Sequence, residues 1–428
     1  STEFRLLDTY PCRRLAYARR GECFADSGAQ IPVGSWSSCN AFKLVKMMKK
    51  NRLYILPLLV LLTSSCENYW GEKTDLGFID IPNYEVREIA YVPLEPKLYD
   101  VSSPIDITMG YDEFLYVVDS ATSEIARYDV AWQPQGRIQI PGVVKVVQDR
   151  RFELLAIGTS DTTVNGVDYD LTTIYRVNFE ENGALDYATA QVEKVAVHPF
   201  YFKNSFSSSD ANVRFTDIAV QGGVSPETNN RYYVSRTGTN PNNAGFGPDN
   251  AVVIFSNTDQ FVTSVPVSAA GAVYNDYFKK PMALASFTQP PQISAQPSQD
   301  FWVVNNDPDQ SIQVQHIQFE EGPFGAVYQP VFYSTTDPIA DRYLQTANRF
   351  QNPVDIAFAG DGNAFVFIAD GAVDSVYQFT SNGLEGVPPP PASTSDKHTR
   401  ATIGGFSELS ALCYYDRILY VADKGTGT

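Results

Sequence analysis

The chain has 428 residues, 43% of them hydrophobic and 19% charged, and sets 32 Lys and Arg against 49 Asp and Glu for a formal charge of −17. That is material for one large domain or two ordinary ones. A field of this sign repels phosphate backbones and anionic head groups, which argues against nucleic-acid binding and against membrane docking through a basic patch.

The charge is uneven along the chain. Residues 1–52 hold ten Lys and Arg and four Asp and Glu, a net +6, so the other 376 residues carry 22 against 45, or −23. Cations or a basic protein surface suit such a body as partners. The 25 Tyr, 26 Phe and 4 Trp fall largely in short Val- and Ile-rich runs, the composition of pleated strands, and predict a mostly β protein.

Residues 1–46 precede the first Met and mix fragments such as Pro11-Cys-Arg-Arg and Gly21-Glu-Cys-Phe. They are expected to be upstream read-through without order. From Met47 a basic stub runs into an apolar stretch, Leu53 to Leu62, and then into Thr63-Ser-Ser-Cys66, the pattern of a secretory signal peptide over 47–65. The apolar run is too short to span a bilayer, which takes roughly 20 residues. Leu62-Thr-Ser-Ser-Cys66 resembles the lipobox of bacterial lipoproteins, in the looser form familiar among Bacteroidota, with Thr63 where Leu is usual. The resemblance implies that Cys66 is acylated and anchors the chain to the membrane, in a cell envelope and on the outer membrane, facing periplasm or cell surface. An ordinary secreted protein cut near Ser65 is the competing reading. Cys12, Cys23 and Cys39 lie in the first segment and only Cys413 lies in the body, so neither a disulfide framework nor a Cys metal cluster is expected.

After a tether, 66–76, the body over 77–428 repeats itself. The best copies run from Pro104-Ile-Asp-Ile to Leu115-Tyr-Val-Val-Asp119 and from Pro353-Val-Asp-Ile to Phe367-Ile-Ala-Asp370; a third runs from Glu408-Leu-Ser-Ala to Leu419-Tyr-Val-Ala-Asp423. Weaker copies start near Val144, Phe215 and Pro281. An apolar strand, a turn, a second strand ending in a polar residue and then a third strand describe the inner part of a propeller blade. The pattern resembles the NHL-type repeat, whose Pro-x-Asp-Ile-Ala and Leu-Tyr-Val-Ala-Asp hallmarks these copies carry. It implies an all-β, six-bladed β-propeller, with the last blade either truncated or closed by N-terminal strands at Phe78–Ile81 and Val86–Val92. The copies are spaced more widely than compact blades of roughly 40–50 residues, so long loops are expected at 235–250, 289–299 and 386–400.

Signatures of serine hydrolases, zinc peptidases and nucleotide-binding loops do not occur. His198, His316 and His398 are far apart in sequence and suit surface or strand positions better than a zinc site. Two readings of function stay open. In the first, the protein is a non-catalytic scaffold that binds an envelope protein or a small ligand, with no cofactor and no nucleic acid; Tyr232, Tyr233 and Trp302 are then candidates for a binding face. In the second, it resembles the calcium-dependent lactonases and esterases, whose propellers hold the ion in the central channel. The strand-end residues Asp119, Asn305, Asp370 and Asp423 would be its metal or channel-mouth ligands, since hard cations take six to eight oxygens. The competing reading of the same residues is that each caps a turn by accepting backbone N–H groups.

Overall fold

The computed structural model describes residues 2–6, 91–94, 98 and 100–428, apart from 182–183, 186, 188, 242–245, 292–297, 323–324, 333–342, 363, 382 and 384–405. Cys66, the expected signal peptide and tether, Phe78–Ile81, His398 and the Pro-rich stretch at 388–391 therefore lie outside the described residues.

The body is a β-propeller. Sheet I runs outward through Pro104–Met109, Leu115–Asp119, Glu124–Tyr128 and Pro134–Gln139. Sheet II takes Lys145–Gln148, Leu154–Val164, Val167–Asn178 and Gln191–Val197. Sheet III takes Arg214–Val220, Tyr232–Thr237, Ala251–Phe255 and Phe261–Ser264. Sheet IV begins with Pro281–Ser286 and Phe301–Asn305 and reaches six strands, because the hairpin of Val267–Ala269 and Ala272–Tyr274 adds to its outer edge. Sheet V has three strands, Pro353–Phe358, Val366–Asp370 and Ser375–Phe379. Sheet VI starts with Leu409–Tyr415 and Ile418–Asp423.

The expectation of a six-bladed propeller whose last blade is truncated or closed by N-terminal strands is corrected here in its blade count. Among the described residues five sheets have four or more strands and sheet V has three. Sheet VI is completed by N-terminal strands, as expected, and one of them, Tyr91–Leu94, overlaps the expected Val86–Val92, while the other is Thr2–Leu6 and Phe78–Ile81 lies outside the described residues. Ile418–Asp423 pairs with Thr2–Leu6, inside the segment expected to be without order, and Thr2–Leu6 pairs with Tyr91–Leu94. The physical reason is the open edge of Ile418–Asp423, whose N–H and C=O groups need a partner strand.

The first strands of the six sheets lie side by side around one axis, each against the next, and Leu409–Tyr415 meets Pro104–Met109. Second strands are buried on both sides: Leu115–Asp119, Phe301–Asn305 and Val366–Asp370 contain no exposed position. Alternation along the strand explains this. Tyr116 and Val118 pack toward sheet II, whereas Leu115 and Val117 pack toward sheet VI. The core is thus six wedges between neighbouring sheets.

The two hallmarks of the repeat are register partners. Pro104 faces Asp119, Pro353 faces Asp370, Pro281 faces Asn305 and Leu409 faces Asp423. Proline has no N–H to give and fits the first position of a strand. Next to each pair the register slips by one residue, so Ile105, Met282, Val354 and Ser410 are bulged, as is Thr216 between Phe215 and Asp217. A bulge re-aims side chains, and here it brings consecutive residues of the first strand to the channel.

The acid at the end of each copy binds backbone. Asp370 accepts N–H groups from Gln351 at 2.8 Å, Asn352 at 3.0 Å and Ala372 at 3.1 Å. Asp119 accepts from Ser102, Ser103 and Ala121, and Asp423 from Ser407, Glu408 and Gly425, in the same arrangement. Each acid ties the loop entering its sheet to the turn leaving its second strand. Asp370→Ala is expected to lower the unfolding free energy by about 3–5 kcal/mol, because three N–H groups lose a charged acceptor, and Asp370→Asn by about half of that. Urea denaturation checks this; a loss under about 1 kcal/mol for the alanine variant would mean that water replaces the carboxylate.

Candidate functional site

Aligning the copies on their bulges sets Ile105-Asp106, Val144-Lys145, Thr216-Asp217, Met282-Ala283, Val354-Asp355 and Ser410-Ala411 in register. The second residue of each pair forms a layer across the axis, with acids from sheets I, III and V and a lysine from sheet II. Lys145 Nζ lies 3.0 Å from Asp106 Oδ1 and 3.0 Å from Asp355 Oδ1. The other oxygen of each acid reaches the next sheet. Asp106 Oδ2 accepts the Val146 N–H, Asp217 Oδ2 the Leu284 N–H and Asp355 Oδ2 the Leu412 N–H, each at 2.7 Å. Three carboxylates therefore clamp sheets I to II, III to IV and V to VI.

The layer holds three buried acids and one ammonium. Burial pulls the Lys145 ammonium down, yet Asp106, Asp217 and Asp355 together outweigh it and hold the group well above its ordinary value. Burial raises the Asp106 carboxyl against the pull of Lys145. Asp217, which makes no ion pair with Lys145, is pushed up to about 7, chiefly by burial and then by its two acidic neighbours against the opposing pull of Lys145.

This layer divides the channel. On the side where the first strands enter, a funnel of about 570 Å³ is lined by Ile105, Val144, Thr216, Met282, Val354 and Ser410, one residue from each first strand or its approach, with Lys145 at the bottom. On the other side, a cavity of about 60 Å³ is lined by Asp106, Asp217 and Asp355 together with Thr108, Gln289 and Cys413. Lys145 belongs to both linings, so the ionic layer is the partition. The funnel wall continues through Gly142 and the hairpin of sheet II at Gly158 and Thr159. Gly142 has φ +56°, and a Cβ there would lie 2.4 Å from Thr159 Oγ1, so the wall closes only with glycine at this point.

The residues singled out from sequence have other work. Asp119, Asp370 and Asp423 are held by three N–H groups apiece in their own sheets, as described above. Asn305 Oδ1 accepts the Lys279 N–H at 3.1 Å, and its Nδ2 is buried without a partner among the described residues. These four do not form one cluster; among the described residues no group of three or more His, Cys, Asp and Glu is arranged to hold a metal ion. Tyr232, Tyr233 and Trp302 are fully buried, which corrects the reading of them as a binding face. They sit in second strands covered on both sides: Tyr232 stacks on Phe255 and gives its hydroxyl to Asp259, Tyr233 gives its hydroxyl to the Gln299 carbonyl, and Trp302 stacks on His316 and Phe287, which also touch each other. His198 is buried among Phe202, Phe215 and Phe246, and burial and Arg236 lower its pKa to about 3. His316 meets Asp300 at 3.1 Å.

The axial acids are not marked out by sequence alone, although Asp106 and Asp355 stand in the Pro-x-Asp-Ile element and Asp217 at the same place in a weaker copy. The signal was positional: the third residue of the Pro-x-Asp element is charged in four of the six copies, and Lys145 is the one cation at that position.

No protein family matches this sequence, and no curated protein is recognisably similar to it. Solved structures to which the chain is similar include virginiamycin B lyase from Staphylococcus aureus, at 10% identity and a TM-score of 0.37 over 76% of this chain and 93% of the lyase. An aldose sugar dehydrogenase from Streptomyces coelicolor, solved with PQQ, shares 12% identity at a TM-score of 0.45 over 78% of this chain and 92% of the enzyme. An auxiliary nutrient binding protein from Bacteroides thetaiotaomicron shares 8% identity at a TM-score of 0.46 over 76% of this chain and 68% of that protein.

Lys145→Met is expected to cost about 3–5 kcal/mol at neutral pH, since it strips Asp106 and Asp355 of the cation they share. Asp217 sets a pH dependence as well. A carboxyl whose pKa rises from 3.8 unfolded to about 7 folded contributes stability below the unfolded value and loses it as pH climbs through the folded one. The unfolding free energy should fall between about pH 4 and pH 7, and Asp217→Asn should flatten that fall. Denaturation curves across this range decide it; an unchanged slope in Asp217→Asn would assign the titration elsewhere.

Proposed function

We propose that the protein is an exported, lipid-anchored binding module of the cell envelope, built as a six-bladed NHL-like propeller in which sheet V takes one blade position, and that it captures a small ligand in the funnel without transforming it. One observation carries the reading. The ion layer stands across the channel between the small cavity and the funnel, whose volume lies within the 300–1,000 Å³ range of small-molecule sites. The walls come from all six first strands, a rigid mount for recognition. Cys66 would carry the acyl anchor, and several chains at that residue would make the attachment stable.

The calcium-dependent hydrolase reading finds support in one feature, the convergence of Asp106, Asp217 and Asp355 on the axis. Against it, the Lys145 ammonium already sits between Asp106 and Asp355, and one oxygen of each axial acid is committed to a neighbouring sheet. The acids are used to hold the ring.

The experiment is native mass spectrometry on the protein extracted from its own membranes. A retained small molecule is expected on the unaltered chain and is expected to be lost from Val354→Trp, whose folding is checked by circular dichroism; calcium-dependent turnover of lactones or aryl esters would overturn the non-catalytic reading. Cys66→Ser is expected to move the protein from the membrane to the soluble fraction and to abolish radiolabelled palmitate incorporation. An unchanged membrane fraction would reject the anchor.

A further inference from the structure

The funnel wall is more apolar than its sequence suggests. Of the six first-strand positions, Ile105, Val144, Met282 and Val354 are hydrocarbon or thioether. The hydroxyls among the rest are engaged by the protein itself. Thr216 Oγ1 lies 2.7 Å from the Pro281 carbonyl and Ser410 Oγ 2.8 Å from the Pro104 carbonyl; Thr172 Oγ1, also on the lining, accepts the Phe215 N–H at 3.0 Å. A ligand in contact with this wall meets few free hydrogen-bonding groups.

The charged groups on the lining differ in what they have left to give. Lys145 is spent on the axial acids, and Lys424 Nζ closes on Glu408 at 2.6 Å. Arg214 is different. Its Nη1 donates to the carbonyls of Ala211 at 2.6 Å and Val213 at 2.8 Å, which fixes the guanidinium, and its Nε and Nη2 have no acceptor among the described residues. Nε and Nη2 form the edge that grips a carboxylate with two parallel bonds. The molecule shows that edge at work elsewhere: Arg176 holds the two oxygens of Asp259 by its Nε and Nη2.

Resting on the funnel as the binding site, we infer that its ligand is an amphipathic carboxylate, with an apolar body against the ring of first-strand side chains and its carboxylate on the free edge of Arg214. The acidic body opposes anions at distances that salt screens, whereas the Arg214 contact is made at hydrogen-bond range.

The test is calorimetric titration of the full chain with octanoate, decanoate and dodecanoate, and with decanol and decylamine as head-group controls. The carboxylates are expected to bind one site, roughly threefold to fourfold tighter per added methylene. Arg214→Met should weaken decanoate at least tenfold and leave decanol unchanged. Arg214→Lys, which keeps the charge and loses the fork, should fall between. Val354→Trp should abolish binding of both. Decanoate binding that ignores Arg214→Met, or that fails to occur, overturns the ligand class. If decanoate fails while the native molecule is still lost from Val354→Trp, the funnel stands and only the class is wrong; if Val354→Trp retains the native molecule, the funnel itself is the wrong site.

Discussion

The constraint on which this propeller depends is the meeting of its first strands at the axis. Six strands run close together there, and their adjoining backbone groups need partners that the radial ladders do not supply. Asp106, Asp217 and Asp355 answer this from alternate sheets, each accepting an N–H from the next sheet. Three carboxyl groups bring acidic oxygens into a buried layer, and Lys145 offsets part of that cost by standing between two of them. The ring is thus held at its axis by groups that must be charged or strongly hydrogen-bonded to work.

That arrangement has a consequence for the channel. An axis lined by small apolar side chains would leave a through-passage or fill with water. Here the ion layer stands between the funnel and the small cavity beneath, with Lys145 in both linings. The same bulges that turn the acids inward turn the preceding residue into the funnel, so stability and pocket shape come from one local device. At the periphery the logic changes. Asp119, Asp370 and Asp423 act within their sheets and tie entry loops to turns, a role repeated without regard to any site.

Much of this was legible in the chain. Leu-Tyr-Val-Val-Asp and its relatives announce second strands, since only a strand covered on both faces tolerates an unbroken apolar run. The capping role of the strand-end acids was one of the two readings their recurrence allowed. Less legible was Lys145, because in its copy the proline is missing and the register is hidden. The burial of Tyr232, Tyr233 and Trp302 was likewise not decided by composition, as aromatic residues serve a wedge between sheets and a ligand face equally well. The outer hairpin of sheet IV and the strand Thr2–Leu6 pair through backbone groups, which leave little trace in side-chain pattern.

The sequence by itself determined that this chain makes blades: alternation, turn residues and the Pro-to-Asp spacing are local properties, satisfied within some twenty residues of each copy. It also determined the acidity of the body. Only the tertiary structure decided what the copies do together. Whether Asp106 and Asp355, 249 positions apart by subtraction of their numbers, face one lysine depends on ring closure. Ring closure is a long-range geometric condition that no single repeat encodes. For the same reason the funnel, built from one residue of each copy, exists only once all six first strands surround the axis.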